Sequence, residues 1–141
     1  MKRKNLLKVV AVDLYGTILV TEDPENAMPI RAGFREFCLL CHQNKIKIVS
    51  SSDADLINQR IDLSDKGAFE YFDRLYRLKT NPKRYSAIIR DYSLSHQELL
   101  VIGNEEVKDL TIAKRIGCKT FLVPNYTLGN YFDFMDIWKT L

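Results

Sequence analysis

The sequence is poor in the features that mark several large classes of protein. Its three cysteines are an odd number, and no secretory leader precedes them. Lys2-Arg3-Lys4 imitates the charged start of a leader, but the apolar stretch over residues 9–12 stops at Asp13, too short for a leader core. A secreted, disulfide-stapled domain is therefore not expected, and a cytoplasmic location is. No window reaches the length of a membrane-spanning helix, so no membrane partner is expected. The two histidines, His42 and His96, have no second ligand at metal-binding spacing and read as surface residues. An excess of one charge is also missing, since 21 basic and 18 acidic residues leave a formal net charge of +3. The densest basic clusters, residues 2–4 and 79–84, suit a solvated surface, and nucleic acid is not supported as a partner.

What is present is the length and patterning of one α/β domain. A chain of 141 residues with 46% hydrophobic content is long enough to bury one core. No linker, internal repeat or low-complexity stretch divides it, so residues 1–141 are expected to form a single domain. Short apolar runs at residues 7–13, 46–50, 72–78, 99–102 and 120–123 read as strands, the first nearly continuous enough to be buried on both faces. Helical patterns fall between them. One opens near residue 29 and runs to about 44, with Phe34, Phe37, Cys38, Leu40 and Cys41 on its apolar side. Others cover about 53–60, about 82–92 with Pro82 in the first turn, and 107–116 stopping at Gly117, a good cap residue. The aromatic tail, residues 131–141, is amphipathic and is expected to fold back on the core. The Cys38-x-x-Cys41 spacing permits redox or metal chemistry, but its place on an apolar helical face favours two packed core thiols. Alternating strands and helices predict a three-layer, doubly wound parallel sheet with helices on both faces.

In such sheets ligands bind beyond the carboxyl ends of the strands, near the point where the strand order reverses. The residues found there are Asp13, Ser50, the segment around Lys79, and Asn104 with its neighbours. A nucleophilic carboxylate, a hydroxyl, an ammonium and an oxygen-rich loop together have the parts for phosphoryl transfer. In order, Val9-Val-Ala-Val-Asp13-Leu-Tyr-Gly-Thr17, Ile46-Lys-Ile-Val-Ser50-Ser51, Lys79-Thr-Asn-Pro82-Lys-Arg-Tyr85 and Leu100-Val-Ile-Gly103-Asn104-Glu-Glu-Val-Lys-Asp109 span most of the chain.

This ordered set resembles the four motifs of the haloacid dehalogenase-like (HAD) hydrolases, and the small spacing between motifs resembles a capless member. The resemblance implies a Rossmann-type fold without a substantial cap and a Mg²⁺ cofactor. It implies that Asp13 is the nucleophile and a metal ligand, with the Tyr15 carbonyl as a second ligand. It further implies that Ser50 and Lys79 stabilise the transferred group, with Thr17 and Ser51 binding substrate. Asn104 and Asp109 would supply the rest of the metal loop, with Glu105 nearby.

Two positions depart from the family's phosphatases. Tyr15 stands where they carry an Asp that protonates the leaving group, and a phenol with a pKa near 10 is a poor match for that task. Asn104 stands where a metal-binding Asp is usual, and a hard cation prefers carboxylate oxygens. The leading expectation is a phosphatase-type hydrolase forming an aspartyl intermediate on Asp13, acting on a phosphorylated substrate and possible as a homo-oligomer. The alternatives are a catalytically weak or inactive domain that binds a phosphorylated ligand, and a 2-haloacid dehalogenase, which Tyr15 suggests and the missing cap opposes.

Overall fold

The computed structural model describes residues 6–141; the Lys2-Arg3-Lys4 cluster lies outside the described residues. At the centre is β1 (Val9–Val12), every residue of which is buried. It pairs in parallel with β2 (Lys47–Ser50) on one side and β3 (Leu99–Gly103) on the other, and β4 (Lys119–Leu122) extends the sheet beyond β3. The order is β2-β1-β3-β4. The chain thus winds outward from β1 in one direction and then returns to wind outward in the other. The reversal falls between β1 and β3, so their carboxyl ends flank the crevice that this topology reserves for ligands.

Strand pleating sends alternate residues to opposite faces, which explains two separate cores. Val10 and Val12 join Ile48, Leu100 and Ile102 on the face covered by α1 (Phe34–Gln43) and α5 (Met135–Trp138). Phe34 and Phe37 meet Phe134 edge-on, and Phe37 meets Trp138 likewise. The tail therefore folds back on the core as its amphipathic pattern predicts. Val9 and Ala11 join Val49, Leu99 and Val101 on the other face, under α3 (Ser86–Asp91) and α4 (Thr111–Ile116). Cys38 and Cys41 are buried without a disulfide, and burial pushes the Cys41 thiol up to about 12, so both are inert core residues. No helix among the described residues is long and apolar enough to cross a membrane.

Three predicted elements take a different form. Residues 72–78 were expected as a strand, yet they touch β2's chain only through isolated parallel bridges, Val49 to Arg74 and Ser52 to Arg77. Side chains interrupt the ladder between those bridges. Ser50 Oγ accepts the Tyr76 N–H at 2.8 Å, and Gln59, on α2 (Leu56–Asp65), donates to the Tyr76 carbonyl at 3.0 Å. The helix expected from Pro82 begins only at Ser86, because the preceding loop is tied elsewhere, with the Lys83 N–H donating to the Lys108 carbonyl at 2.8 Å. The helix expected over 107–116 opens with a wide π turn, Glu106–Leu110, before α4 begins and Gly117 closes it at φ 93°. Such turns shift side chains relative to regular α geometry and recur at functional sites. Here the turn carries Asp109 back under β3.

Candidate active site

Asp13 follows the last residue of β1, and its N–H is fixed to the Ile102 carbonyl of β3 at 2.9 Å. Its carboxylate therefore leaves the sheet at the crevice. Lys83 Nζ donates to Asp13 Oδ1 at 2.7 Å, and the Thr17 hydroxyl donates to Oδ2 at 3.0 Å. Lys83 is only 1% exposed and also donates to the Ser51 carbonyl at 2.6 Å. Its ammonium lies 2.7 Å from Asp109 Oδ1, an ion pair off the hydrogen-bonding direction. Asp109 in turn accepts the N–H groups of Asn104 and Glu105 on Oδ2, at 3.1 and 3.0 Å. One buried ammonium thus joins the nucleophile candidate at the end of β1 to the loop after β3.

The glycines of the two loops make this closeness feasible. A Cβ on Gly103 would lie 2.4 Å from Asp109 Oδ2 and 2.5 Å from Asp109 Cβ, so only glycine lets the carboxylate press against the end of β3. Gly16 has φ +87°, and a Cβ there would meet the Asn104 and Asn125 side chains at 2.3 and 2.5 Å. Those amides are joined, Asn104 Nδ2 donating to Asn125 Oδ1 at 2.8 Å, and Thr17 also reaches Asn104 Oδ1 at 3.2 Å.

Burial sets the electrostatics. It disfavours the charged carboxylate of Asp13 most strongly; Lys83 works in the opposite direction, Asp109 adds to the rise, and the pKa reaches about 6. Burial also opposes the charge on Lys83, but the attraction and hydrogen bonds of Asp13 and Asp109 outweigh it, and its pKa rises. The trio carries two carboxylates against one ammonium. A further cation is therefore electrostatically welcome where an anion alone is not.

The structure brings together some of the sequence-predicted site residues and separates others. Asp13, Thr17, Asn104 and Asp109 converge as expected. Lys79 does not join them: it is exposed, and Lys83, four residues later in the same loop, reaches Asp13 instead. Pro82-Lys83 and Tyr85 were visible in the sequence, but only burial separates the two lysines, and the Tyr85 phenol donates to the Asp109 carbonyl at 2.7 Å. Ser50 is turned into the sheet edge, donating to Gln59 Oε1 at 2.6 Å. The register pairs Val12 with Ser50, which sets Ser51 rather than Ser50 alongside Asp13. The Ser51 hydroxyl is buried against the Tyr85 phenol, outside hydrogen-bonding geometry. Asp109 anchors the loop, with Oδ2 accepting two backbone N–H groups and Oδ1 beside the Lys83 ammonium. The Tyr15 phenol donates to Asp62 on α2 at 2.5 Å. Burial and the carboxylates of Asp62, Asp55 and Asp13 push its pKa well above the usual phenol value. Asp62 and Asn125 had no sequence signal, since their roles arise from contacts across 47 and 21 residues.

A cavity of about 420 Å³ opens over Asp13, lined by Tyr15, Ser52, Asn104, Glu105 and Lys108 among others. Lys108 pairs with Asp53 at 2.6 Å on its rim. Among the described residues no group of three or more His, Cys, Asp or Glu side chains is gathered as a ready metal cage. The oxygen donors at this cavity nevertheless fit Mg²⁺ in kind, because that ion is commonly held by one or two carboxylates with water and substrate phosphate completing its sphere.

No protein-family model matches the sequence, and no curated protein matches it. Solved structures do. A predicted phosphoglycolate phosphatase from Haemophilus somnus superposes with a TM-score of 0.77 at 12% identity, covering 96% of this chain and 98% of that one. A HAD-superfamily hydrolase from Ehrlichia chaffeensis gives 0.70 at 14% identity over 94% of each chain. A HAD family enzyme from Bacteroides thetaiotaomicron, an aspartate-to-alanine mutant in complex with magnesium and inorganic phosphate, gives 0.69 at 13% identity, over 94% of this chain and 99% of that one. At such identities the likeness establishes architecture. The chain has the HAD-like fold.

Proposed function

We propose that this HAD-like chain is a phosphatase-type hydrolase in which Asp13 is the nucleophile and Mg²⁺ the cofactor. The observation that carries the proposal is the buried Lys83 ammonium held between Asp13 at 2.7 Å and Asp109 at 2.7 Å, behind the carboxylate that lines the switch-point crevice. Lys83 holds Asp13 in one orientation and favours its ionised form against the desolvation that burial imposes. Thr17 fixes the second carboxylate oxygen. The ionised carboxylate attacks phosphorus, an Asp13 Oδ–P bond forms, and the ester P–O bond breaks with its electron pair leaving on the departing oxygen. Attack of water on phosphorus then breaks the Asp13–phosphoryl bond, releasing inorganic phosphate and restoring the carboxylate. Bound Mg²⁺, held by Asp13, the Tyr15 carbonyl and the Asn104 amide oxygen, would offset negative charge on the phosphoryl oxygens. Lys83, buried behind Asp13, offsets the charge of the carboxylate from within the fold, and Ser52, Asn104 and Lys108 line the cavity that the phosphoryl group would enter.

The leaving group is where this site differs from a general phosphatase. The phenol of Tyr15 is engaged with Asp62 and its pKa lies above the usual phenol range, so it offers no well-matched acid to a departing alkoxide. Activated substrates, such as aryl phosphate esters and the mixed anhydrides called acyl phosphates, release their leaving groups without that help and are the preferred substrate class. The test is Mg²⁺-dependent release of phosphate from p-nitrophenyl phosphate by native protein and by Asp13→Asn. Turnover that requires Mg²⁺ and disappears in the variant is expected; equal turnover by both proteins would reject Asp13 as nucleophile. No turnover by folded native protein would favour the non-catalytic ligand-binding alternative.

A further inference from the structure

A phosphoryl dianion entering the cavity over Asp13 meets mostly charge of its own sign. Asp13, Asp53 and Glu105 line that cavity, and Lys108 is the one cation in the lining. Lys83 does not make up the difference. It is 1% exposed, sealed behind Asp13, and committed to Asp13, the Ser51 carbonyl and Asp109. Bound Mg²⁺ would offset part of the charge. Among the described residues that line the cavity, only Lys108 can bring a second cation to the phosphoryl oxygens.

The loops around Lys108 place it for that task. Strand order sets β1 between β2 and β3. Asp53 follows β2, Lys108 lies in the π turn after β3, and their side chains meet at 2.6 Å. The ion pair therefore joins the loops on either side of the strand that delivers Asp13, and all three residues line one cavity. The Lys108 backbone is anchored, because its carbonyl accepts the Lys83 N–H at 2.8 Å. Its side chain donates to Asp53, and the two side chains are 25% and 50% exposed. That bond raises the Lys108 pKa and lowers that of Asp53, so both are charged at neutral pH. The repulsion of Lys83 is also felt at Lys108, which puts the rim ammonium within electrostatic reach of the buried one. An ion pair this exposed contributes little to stability, so a doubly charged phosphoryl group can take the lysine from Asp53.

We propose that Lys108 binds the phosphoryl oxygens of the substrate and that Asp53 competes with the substrate for it, holding the lysine across the mouth of the cavity until the anion enters. The identity of the anion rests on the hydrolase reading, but the test reads phosphate binding and not turnover. Phosphate affinity is then set by an exchange of anionic partners at one ammonium. Removing Lys108 weakens it, and removing the charge of Asp53 strengthens it. A rim ion pair with a purely structural role predicts no such opposition, since loss of either partner would then have the same effect.

Inorganic phosphate is the probe, titrated calorimetrically into the full chain with Mg²⁺ present. Saturable binding by native protein is expected, weakened by about 10–100-fold in Lys108→Met, the scale of one lost charge-assisted hydrogen bond. Lys108→Arg keeps the charge and should stay within about threefold of native protein. Asp53→Asn should tighten binding by about two- to fivefold, the scale of an exposed ion pair. A general change in cavity charge would give the same sign, so the double variant Lys108→Met/Asp53→Asn decides the route. With no lysine to release, it should bind as weakly as Lys108→Met. Thermal midpoints establish that each variant is folded, and the gain in affinity of Asp53→Asn is a result that loss of fold cannot imitate. Absence of saturable phosphate binding by native protein overturns the proposal. So does native affinity in folded Lys108→Met, weaker binding by Asp53→Asn, or equal tightening by Asp53→Asn in both backgrounds. Phosphate binding that follows the expected pattern in a protein without turnover upholds the role of Lys108 and rejects the hydrolase reading alone.

Discussion

Replacing Asp13 by Asn destroys the proposed nucleophile, and the stability of the variant relative to native protein should rise as pH rises from 4 to 7. The reasoning starts from burial. Desolvation raises the Asp13 carboxyl from an ordinary 3.8 to about 6 in the fold, despite the help of Lys83. A group with a raised native pKa contributes stability that is complete below its unfolded value and is lost as pH rises through its native value. At 1.36 kcal/mol per pH unit, the interval from 3.8 to about 6 corresponds to roughly 3 kcal/mol in full, most of it lost between pH 4 and 7. Asn resembles the protonated acid in shape and does not titrate. The stability of Asp13→Asn relative to native protein should therefore be smallest near pH 4 and should grow by roughly 2–3 kcal/mol by pH 7. The carboxyls of Asp23, Asp53, Asp91 and Glu98, whose pKa values are lowered, act mainly below pH 4 and are common to both proteins, so they cancel. Urea denaturation at pH 4, 5, 6 and 7 with a chelator present measures the difference directly, the chelator preventing any metal from lowering the Asp13 pKa. Parallel stability profiles for the two proteins would refute the argument, since they would mean that Asp13 titrates alike in the folded and unfolded chain.

Lys83→Met should reduce kcat/KM for p-nitrophenyl phosphate by roughly 10²–10³-fold, the usual cost of losing one preorganised charge at a reacting centre. Lys79→Ala should leave it within about twofold, as expected for a solvated surface charge, and the reverse pattern would restore Lys79 to the site. Tyr15→Asp should raise hydrolysis of alkyl phosphates more than that of aryl phosphates, by up to about 10²–10⁴-fold in the ratio if the new carboxyl reaches the leaving oxygen. Paired rates decide it, and an unchanged ratio in an active variant would show that the missing acid does not limit the chemistry. Asn104→Asp should tighten Mg²⁺ binding in titration calorimetry by adding a charge to a hard-ion site; equal or weaker binding would place residue 104 outside the metal sphere.

The sequence by itself determined the architecture and the nucleophile candidate. An apolar run ending in a lone aspartate can hardly be anything but a buried strand delivering a carboxylate to its end, and repetition of strand and helix leaves a parallel sheet as the solution. The ordered motifs then placed Thr17, Asn104 and Asp109 near Asp13 before any distance was known. Tertiary structure decided which of two lysines serves the site. Lys79 and Lys83 are alike in type and share one loop, and only the Lys83 bond to the Lys108 carbonyl and its burial between two carboxylates distinguish it. It also turned Ser50 into the sheet edge and left Ser51 beside Asp13, because residue 50 pairs with Val12 and its hydroxyl is taken by Tyr76 and Gln59. Asp62 was illegible for the same reason. Local patterning reports which face of a strand or helix is buried, whereas the partner of a buried charge is set by residues brought together from distant parts of the chain, and that pairing exists only once the layers have packed.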